Sequence, residues 1–335
     1  MRVHNRVAAV LSLALLLASC GGDDREPHPA TPLIAGSAIA PLTTAGSSPE
    51  GPAWTVRAAM PSSRAEVASA ALDGRIYVIG GVEASDNSSN VVEVYDVASD
   101  RWQRRANLPQ ARDHAMAATL GGKIYVFGGS AGSMTTSTTF AYDPATDAWS
   151  RRADMPLRRT AGGAAVLENR IVLVGGTGDS PASTMVYDPA QDRWTLGPSM
   201  TAPREHLAVT GDGAHIYVIG GRWNDVIKST AESLDSLTGG WKRLSDLPTA
   251  RGGTGGGLVN GRIYVAGGEA GNPNRTFPEV EAYDPVSNVW TSLPQLLTPR
   301  HGVAVLGSGD TLFVIAGGPT AGLSVSNRNE AITPR

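Results

Sequence analysis

The chain has 335 residues, and its 28 lysines and arginines against 31 aspartates and glutamates give a formal net charge of −3. This balance lacks the strongly basic character of nucleic-acid binders, so no nucleic-acid partner is expected. The single cysteine, Cys20, excludes an intramolecular disulfide and a cysteine-based zinc site.

The N-terminal segment predicts export rather than a folded domain. A basic start precedes an apolar run at residues 7–18, shorter than the about 20 residues that a membrane-spanning helix needs. The run ends in Leu-Ala-Ser-Cys at 17–20, which resembles the bacterial lipoprotein signal. An ordinary secretory signal with an incidental cysteine is the alternative.

The lipoprotein resemblance implies removal of residues 1–19 as a signal peptide and lipidation of Cys20. The segment 20–52 is rich in proline, alanine, glycine, serine and threonine, which predicts a disordered tether. Gly21, where an aspartate would signal retention at the inner membrane, implies the outer membrane of a Gram-negative bacterium, facing the periplasm or the surface. The lipid anchor is then the expected membrane contact.

From Trp54 onward the chain repeats one pattern. The clearest copy is the apolar run Arg262–Gly268, which stops at a double glycine. Its equivalents follow one another at steps of 48, 47, 45, 47 and 50 residues, and the sixth, at 312–318, carries one extra residue. A period of this length predicts a propeller or a solenoid.

Each repeat contains four strand-like phrases in a fixed order. An alternating apolar strand follows an arginine, the next strand ends in the double glycine, the third ends in Tyr-Asp, and the fourth opens on tryptophan. The distance from the tyrosine (Leu234 in one copy) to the tryptophan is seven residues each time, as in Tyr95 and Trp102. One fixed turn with aspartate and proline chemistry is therefore expected between the third and fourth strands.

Double glycine, Tyr-Asp and tryptophan at these offsets resemble the kelch motif. The resemblance implies an all-β, six-bladed kelch-type β-propeller over residues 53–335, with tyrosine and tryptophan filling the space between blades. Trp54 has no double glycine before it, and Gly317-Gly318 has no tryptophan after it. We therefore expect the Trp54 strand to complete a closing blade with the C-terminal strands, the third of them near 323–332.

An arginine precedes the first strand of every repeat, and symmetry predicts a ring of six around the channel mouth. In some eukaryotic kelch domains, arginines at this position bind an acidic peptide, and guanidinium groups suit carboxylates. The alternative is structural pairing with acids such as Glu66, Asp113 or Glu205. The ring arginines are Arg64, Arg112, Arg159, Arg204, Arg251 and Arg300.

Three further residues are candidates for ligand contact on the same face. Trp223 is the one tryptophan outside the repeat pattern, and it could stack on a sugar or clamp a peptide, or merely cover its loop. His114 and His206 each lie two residues after a ring arginine, where a packed or hydrogen-bonded role is the alternative.

The sequence predicts a monomeric binding or scaffold module for a protein partner or an acidic glycan or peptide, without metal or cofactor. The alternative is a carbohydrate isomerase or epimerase resembling the sialic acid mutarotases, for which no catalytic acid can be assigned. Copper radical oxidases of the galactose oxidase type are excluded, because their cysteine–tyrosine crosslink needs a cysteine and Cys20 lies in the signal.

Overall fold

The computed structural model describes residues 51–334, so the predicted signal peptide, Cys20 and nearly all of the predicted tether lie outside the described residues. Within that range the secondary structure is β-strand without helix. Accordingly, no helix there has the length and apolar character to cross a membrane. Six four-stranded antiparallel sheets form the body, which confirms the predicted all-β propeller.

The first three blades follow one another along the chain. Blade 1 contains β2 (Ala68–Leu72), β3 (Arg75–Ile79), β4 (Val92–Asp96) and β5 (Arg101–Arg104). Blade 2 contains β6 (Met116–Leu120), β7 (Lys123–Phe127), β10 (Thr139–Asp143) and β11 (Ala148–Arg152). Blade 3 contains β12 (Arg159–Leu167), β13 (Arg170–Gly178), β14 (Thr184–Asp188) and β15 (Arg193–Gly197).

Blades 4 and 5 keep the same order. Blade 4 contains β16 (Ala208–Gly211), β17 (Ile216–Ile219), β20 (Ala231–Leu234) and β21 (Lys242–Arg243). Blade 5 contains β22 (Gly255–Val259), β23 (Arg262–Ala266), β26 (Val280–Asp284) and β27 (Val289–Ser292). Three short hairpins rise from the loops between second and third strands: β8 (Ser130–Ala131) with β9 (Met134–Thr135), β18 (Arg222–Trp223) with β19 (Val226–Ile227), and β24 (Glu269–Gly271) with β25 (Asn274–Thr276).

Blade 6 joins the two ends of the propeller. Its strands β28 (Ala304–Ser308), β29 (Thr311–Ile315) and β30 (Asn329–Ile332) are completed by β1 (Thr55–Val56). Thr55 pairs with Ala331 in an antiparallel register. The predicted closing blade is therefore confirmed, and it joins the N-terminal strand to the C-terminal strands of the propeller.

The first strands of adjacent blades contact one another around a closed circle, from β2 through β6, β12, β16, β22 and β28 back to β2. Six buried apolar clusters lie between the blades, one for each adjacent pair. A single blade could not bury both its faces, so stability comes from the stacking of neighbours.

The repeat tryptophan fastens each blade to its neighbour, and in four blades the third-strand tyrosine and the turn after it contribute as well. Tyr95 Oη donates to Asp100 Oδ1 at 2.6 Å, and Asp100 also accepts the amide N–H of Ala58 at 2.8 Å. The indole of Trp102 donates to the Ala58 carbonyl at 2.7 Å. The other repeat tryptophans make the equivalent indole bond to the segment before their own blade, which explains the constant seven-residue offset.

The double glycine contacts the next blade. The second glycine donates its N–H to the carbonyl of the following ring arginine at 2.7–2.9 Å, all the way round the propeller. A Cβ on the first glycine of blade 1, Gly80, would lie 2.4 Å from the Arg112 carbonyl oxygen. In blade 6, Ala316 takes the first position and Gly317 donates to Arg64, so the extra residue of the sixth copy is Gly318.

Candidate functional site

The six ring arginines are almost completely buried, with exposed fractions of 0 to 4%. Their guanidinium groups lie inside the blades, and those of Arg64, Arg159, Arg251 and Arg300 donate to the main-chain carbonyl at the first position of the double glycine. Arg64 Nη1, for example, bonds the carbonyl oxygens of Gly80 at 2.5 Å and Val91 at 2.9 Å. Burial lowers the pKa of Arg159 and Arg300 to about 10, so both remain charged at neutral pH.

Four ring arginines also form buried ion pairs with a glutamate on the third strand of their own blade. The pairs are Arg64–Glu93 at 2.8 Å, Arg204–Glu232 at 2.6 Å, Arg251–Glu281 at 2.5 Å and Arg300–Glu330 at 3.4 Å. Blades 2 and 3 have Phe140 and Met185 at the equivalent position. The arrangement favours the structural alternative, but the partners are these glutamates rather than Glu66, Asp113 and Glu205.

The residue two positions after each ring arginine forms the mouth of the central channel. Its main-chain N–H donates to the carbonyl of the equivalent residue in the preceding blade, at 2.8–2.9 Å, and six such bonds close a circle. All six residues have a positive φ of 51 to 62°. We call this set the mouth ring; its members are Glu66, His114, Ala161, His206, Gly253 and Gly302.

The mouth ring is uniform in backbone and variable in side chain. A positive φ favours glycine and is uncommon for residues with a Cβ. Gly253 and Gly302 follow this preference, whereas Glu66, His114 and His206 do not. Since glycine or alanine satisfies the same position in three blades, the fold does not require a glutamate or a histidine there. Such local strain is typical of functional sites.

The polar side chains of the mouth ring converge on Glu66. Its Oε2 lies 3.6 Å from His114 Nε2 and 3.8 Å from His206 Nε2. Its Oε1 lies 3.3 Å from Nδ1 of His301. A Cβ on Gly302 would lie 2.5 Å from Glu66 Oε1, so the glycine at this position leaves room for the carboxylate.

Each mouth-ring histidine has a carboxylate on its other ring nitrogen. His114 Nδ1 lies 2.6 Å from Asp113 Oδ1. His206 Nδ1 is likewise in close contact with a carboxylate oxygen, Glu205 Oε2. Both carboxylates come from the residue directly before the histidine, and both orient Nε2 of that histidine towards Glu66.

Arg222 links the outer carboxylates. Its Nε donates to Glu205 at 2.8 Å and its Nη1 to Glu269 at 2.6 Å. The second oxygen of Glu269 lies 3.6 Å from Nδ1 of His301. The ionisable groups therefore form one continuous network across blades 1, 2, 4, 5 and 6, and we call it the Glu66 cluster.

Burial and mutual charge shift the pKa values of the cluster. Burial opposes ionisation of Glu66, but the three surrounding histidines together hold the pKa of its carboxyl well below its usual range. Burial also opposes a charge on His114 and His301, yet Glu66 and the carboxylates beside them raise their pKa above the ordinary value. Burial lowers the pKa of His206 to about 3, so this imidazole is neutral at physiological pH.

A cavity of about 410 Å³ opens behind the mouth ring. Glu66, His114 and His206 border it at one end, and small side chains of the first strands line its length. The three hairpins stand around this end, which is the face formed by the loops between second and third strands. Three exposed apolar residues lie on its rim: Met134, Val226 and Leu323, with exposed fractions of 67, 58 and 58%.

The structure thus brings some predicted site residues together and separates others. His114 and His206 meet, with ring centroids 5.0 Å apart in an edge-to-face arrangement. Trp223 lies partly exposed in the β18–β19 hairpin on the rim, where its ligand role stays a prediction. The ring arginines lie behind the mouth, shielded by their own blades.

The sequence pattern did not predict several residues of the Glu66 cluster. It indicates Glu66 only as a possible partner of an arginine, and it assigns no role to His301, Arg222 or Glu269. One signal could have found part of the cluster: at two residues after each arginine, three blades use alanine or glycine and three use glutamate or histidine. The remainder come from different loops that the closure of the propeller brings together.

Comparison with known proteins agrees with this architecture. The KLHDC2/KLHL20/DRC7 Kelch-repeats domain model matches residues 50–202, and the Kelch motif model matches residues 203–248 and 250–297. Kelch-like protein terF of Aspergillus terreus is 34% identical over 134 residues, which cover 37% of this chain and 28% of that protein. Beta-scruin of Limulus polyphemus is 31% identical over 144 residues, covering 41% of this chain and 16% of that protein.

The matched segments span less than a third of these relatives' own length, as they do for human Kelch-like protein 41, where 30% identity covers 22% of the protein. Among solved structures, that of YjhT superposes with a TM-score of 0.71 at 18% identity, covering 82% of this chain and 96% of the other. This likeness shows a shared fold. With consecutive kelch matches from residue 50 to residue 297 and six closed blades, the chain belongs to the kelch-repeat family of β-propellers.

Proposed function

We propose that this protein is a lipid-anchored, extracytoplasmic binding module that holds a protein partner over the loop face of its propeller. The observation that carries the proposal is the Glu66 cluster at the centre of that face. Its members occupy mouth-ring positions where the fold accepts glycine or alanine at the same positive φ. A strained, partly buried polar group that the fold does not need is a candidate for ligand contact.

The exposed apolar residues on the rim favour a macromolecular partner over a small ligand. Met134, Val226 and Leu323 project from blades 2, 4 and 6, which alternate around the propeller, so a partner could be held at three apolar points above a polar floor. Exposed apolar residues grouped around a concave surface commonly mark interaction sites.

The charge of the face favours a neutral or basic partner segment over an acidic one. The guanidinium groups that would attract an acidic glycan or peptide are buried in the blades. Four carboxylates, those of Glu66, Asp113, Glu205 and Glu269, instead surround the mouth. A partner that inserts a basic or amide-bearing side chain would meet complementary charge there.

Site-specific photo-crosslinking in the native cell envelope tests the proposal. A photoreactive residue is placed at Met134, Val226 or Leu323 on the rim, and at Val286 or Val289 as controls. The controls are matched because both are exposed and apolar, and they lie at or beside the turn between β26 and β27, on the opposite face. We expect the same crosslinked species from the three rim positions. Equal crosslinking from the controls, or none from the rim, would contradict a partner on the loop face.

A sugar isomerase is the second candidate, because a carboxylate and an imidazole, Glu66 and His206, face one cavity 3.8 Å apart. One group could take the proton of an anomeric hydroxyl while another protonates the ring oxygen as the ring C–O bond breaks; the reverse step then closes the other anomer. Polarimetry on freshly dissolved neutral and acidic sugars tests this candidate. Acceleration that Glu66→Gln abolishes would support it, and wild-type protein without effect on any sugar would exclude it.

The lipid anchor is tested separately from ligand binding. Cells are fed an alkyne-bearing fatty acid, and the wild-type chain is compared with Cys20→Ser. Label on the wild-type chain and none on the variant is the expected result, with the label recovered in the outer-membrane fraction. An unlabelled wild-type chain released as a soluble protein would leave the ordinary secretory signal as the explanation.

A further inference from the structure

We infer that the mouth of the propeller channel is a binding site for one divalent transition-metal ion of the Zn²⁺ class, held by Glu66, His114 and His206. The sequence alone predicts no metal site, because the two histidines lie on blades 2 and 4 and the glutamate on blade 1. The inference goes beyond the binding role proposed above and does not depend on a partner.

The donor atoms are close enough to share an ion. A carboxylate oxygen of Glu66 and one ring nitrogen of each histidine lie within 4.8 Å of one another. The distances from Glu66 Oε2 to the two Nε2 atoms are 3.6 and 3.8 Å. Tetrahedral ligands at about 2.0–2.1 Å from zinc lie roughly 3.3 Å apart, so side-chain shifts of about 1 Å or less would complete the geometry.

The donor types also select the ion. Two imidazoles and one carboxylate suit zinc, iron, cobalt and nickel, whereas calcium and magnesium prefer sites built from oxygen. The same three-residue set with an open fourth position is common in catalytic zinc sites. The open position here would face the cavity behind the mouth ring.

The groups beyond the donors match those of established metal sites. Histidines that bind metals usually give their other ring N–H to a carboxylate, which fixes the tautomer and aims the free nitrogen at the ion. Here Asp113 lies 2.6 Å from His114 Nδ1, and Glu205 contacts His206 Nδ1. The Asp113–His114 and Glu205–His206 contacts belong to different blades, so each histidine is positioned by its own carboxylate.

The charge around the mouth leaves a place for a cation. The carboxylates of Glu66, Asp113, Glu205 and Glu269 surround one permanent positive charge, that of Arg222. A buried excess of negative charge is costly unless protons or a metal ion compensate it. One divalent ion at the centre would supply this compensation directly.

The test uses the full chain in mild detergent, stripped with a chelator and titrated with Zn²⁺ by calorimetry and with Co²⁺ by visible absorption. We expect one Zn²⁺ per chain with a Kd of about 1 μM or tighter, and cobalt absorption bands that Zn²⁺ removes. His114→Ala, His206→Ala and Glu66→Gln should each weaken binding by more than about 100-fold, since removing a ligand costs more than the 10–100-fold expected for Asp113→Asn.

Two controls separate loss of the site from loss of the fold. Alanine is compatible with the mouth ring because Ala161 occupies it in blade 3, so thermal melts of the metal-free histidine variants should match the wild type. His215→Ala removes an exposed histidine outside the cluster and should bind as the wild type does. A wild-type Kd above about 100 μM, or binding that persists in all three ligand variants, would overturn the inference.

Discussion

The ring arginines and the mouth ring lie two residues apart in the same repeat and behave in opposite ways. The arginine is present and buried in all six blades, and in four of them its side chain bonds the carbonyl at the first position of the double glycine. The mouth-ring residue changes from blade to blade and faces the cavity. In this protein, a residue that is the same in every blade is one that the fold needs. A residue that differs between blades at the mouth of the channel is a candidate for ligand contact.

The physical reason is that a closed propeller imposes the same backbone geometry on every blade. Each ring arginine accepts an N–H from the preceding blade through its carbonyl and bonds its own blade through its side chain, so every blade needs one. The mouth ring is held by main-chain bonds alone. Its side chains are therefore free to vary, and the three polar ones meet across the channel mouth.

The largest expected effect comes from breaking a buried ion pair. Arg251→Leu leaves the Glu281 carboxylate buried without its partner, and unfolding free energy should fall by about 3–5 kcal/mol. Guanidinium-induced unfolding measures the loss. Replacing both members with leucine should recover most of it, and Arg158→Ala, at an exposed pair with Asp179, should leave stability nearly unchanged. If Arg158→Ala lowered the unfolding free energy as much as Arg251→Leu does, the distinction between buried and exposed ion pairs would be wrong.

A smaller loss is expected in a blade that lacks the glutamate. Arg159 bonds only main-chain carbonyls, among them Gly175 at 2.6 Å and Asp179 at 2.9 Å, and its blade has Met185 at the glutamate position. Arg159→Leu leaves no unpaired carboxylate, so the loss should be about 1–3 kcal/mol. The same unfolding series gives the value, and equal losses for the two arginines would mean that the ion pair adds nothing.

A methyl group in the mouth ring should affect both stability and the Glu66 cluster. Gly302→Ala places a Cβ 2.5 Å from Glu66 Oε1 at a φ of +59°, and we expect a loss of about 1–2 kcal/mol with at least a tenfold weaker metal affinity. Gly253→Ala is the matched control, because its Cβ would meet Glu269 and His301 at 3.0 and 3.2 Å without touching Glu66. Unchanged metal affinity in Gly302→Ala would show that the carboxylate is not held as described.

The smallest effect should have the opposite sign. His206→Gly relieves a positive φ and removes a buried imidazole, so unfolding free energy should stay constant or rise by up to about 1 kcal/mol. Metal binding should be lost in the same variant. Thermal melts without metal measure the first change, and a marked drop in melting temperature would indicate that His206 is structural.

Much of the fold could be predicted because the same motifs recur in each blade and can be recognised in the sequence. The six copies of the double glycine and the tryptophan predict the blades, and Trp54 without a preceding copy predicts the closing blade that β1 and β30 form. The candidate site was only partly predictable. His114 and His206 were identified from their place in the repeat, whereas their convergence with Glu66 depends on closure of the circle.

The sequence by itself determined the repeat, the strand order within a blade and the positions that fill the space between blades. These follow from local patterns and fixed offsets, which one blade carries on its own. Only the tertiary structure decided which side chains meet. It showed that the arginines are buried supports, four of them paired with a glutamate on the third strand of their own blade. It also brought residues 66, 114, 206 and 301 from four blades to one channel mouth, because closure places the starts of the first strands around one axis.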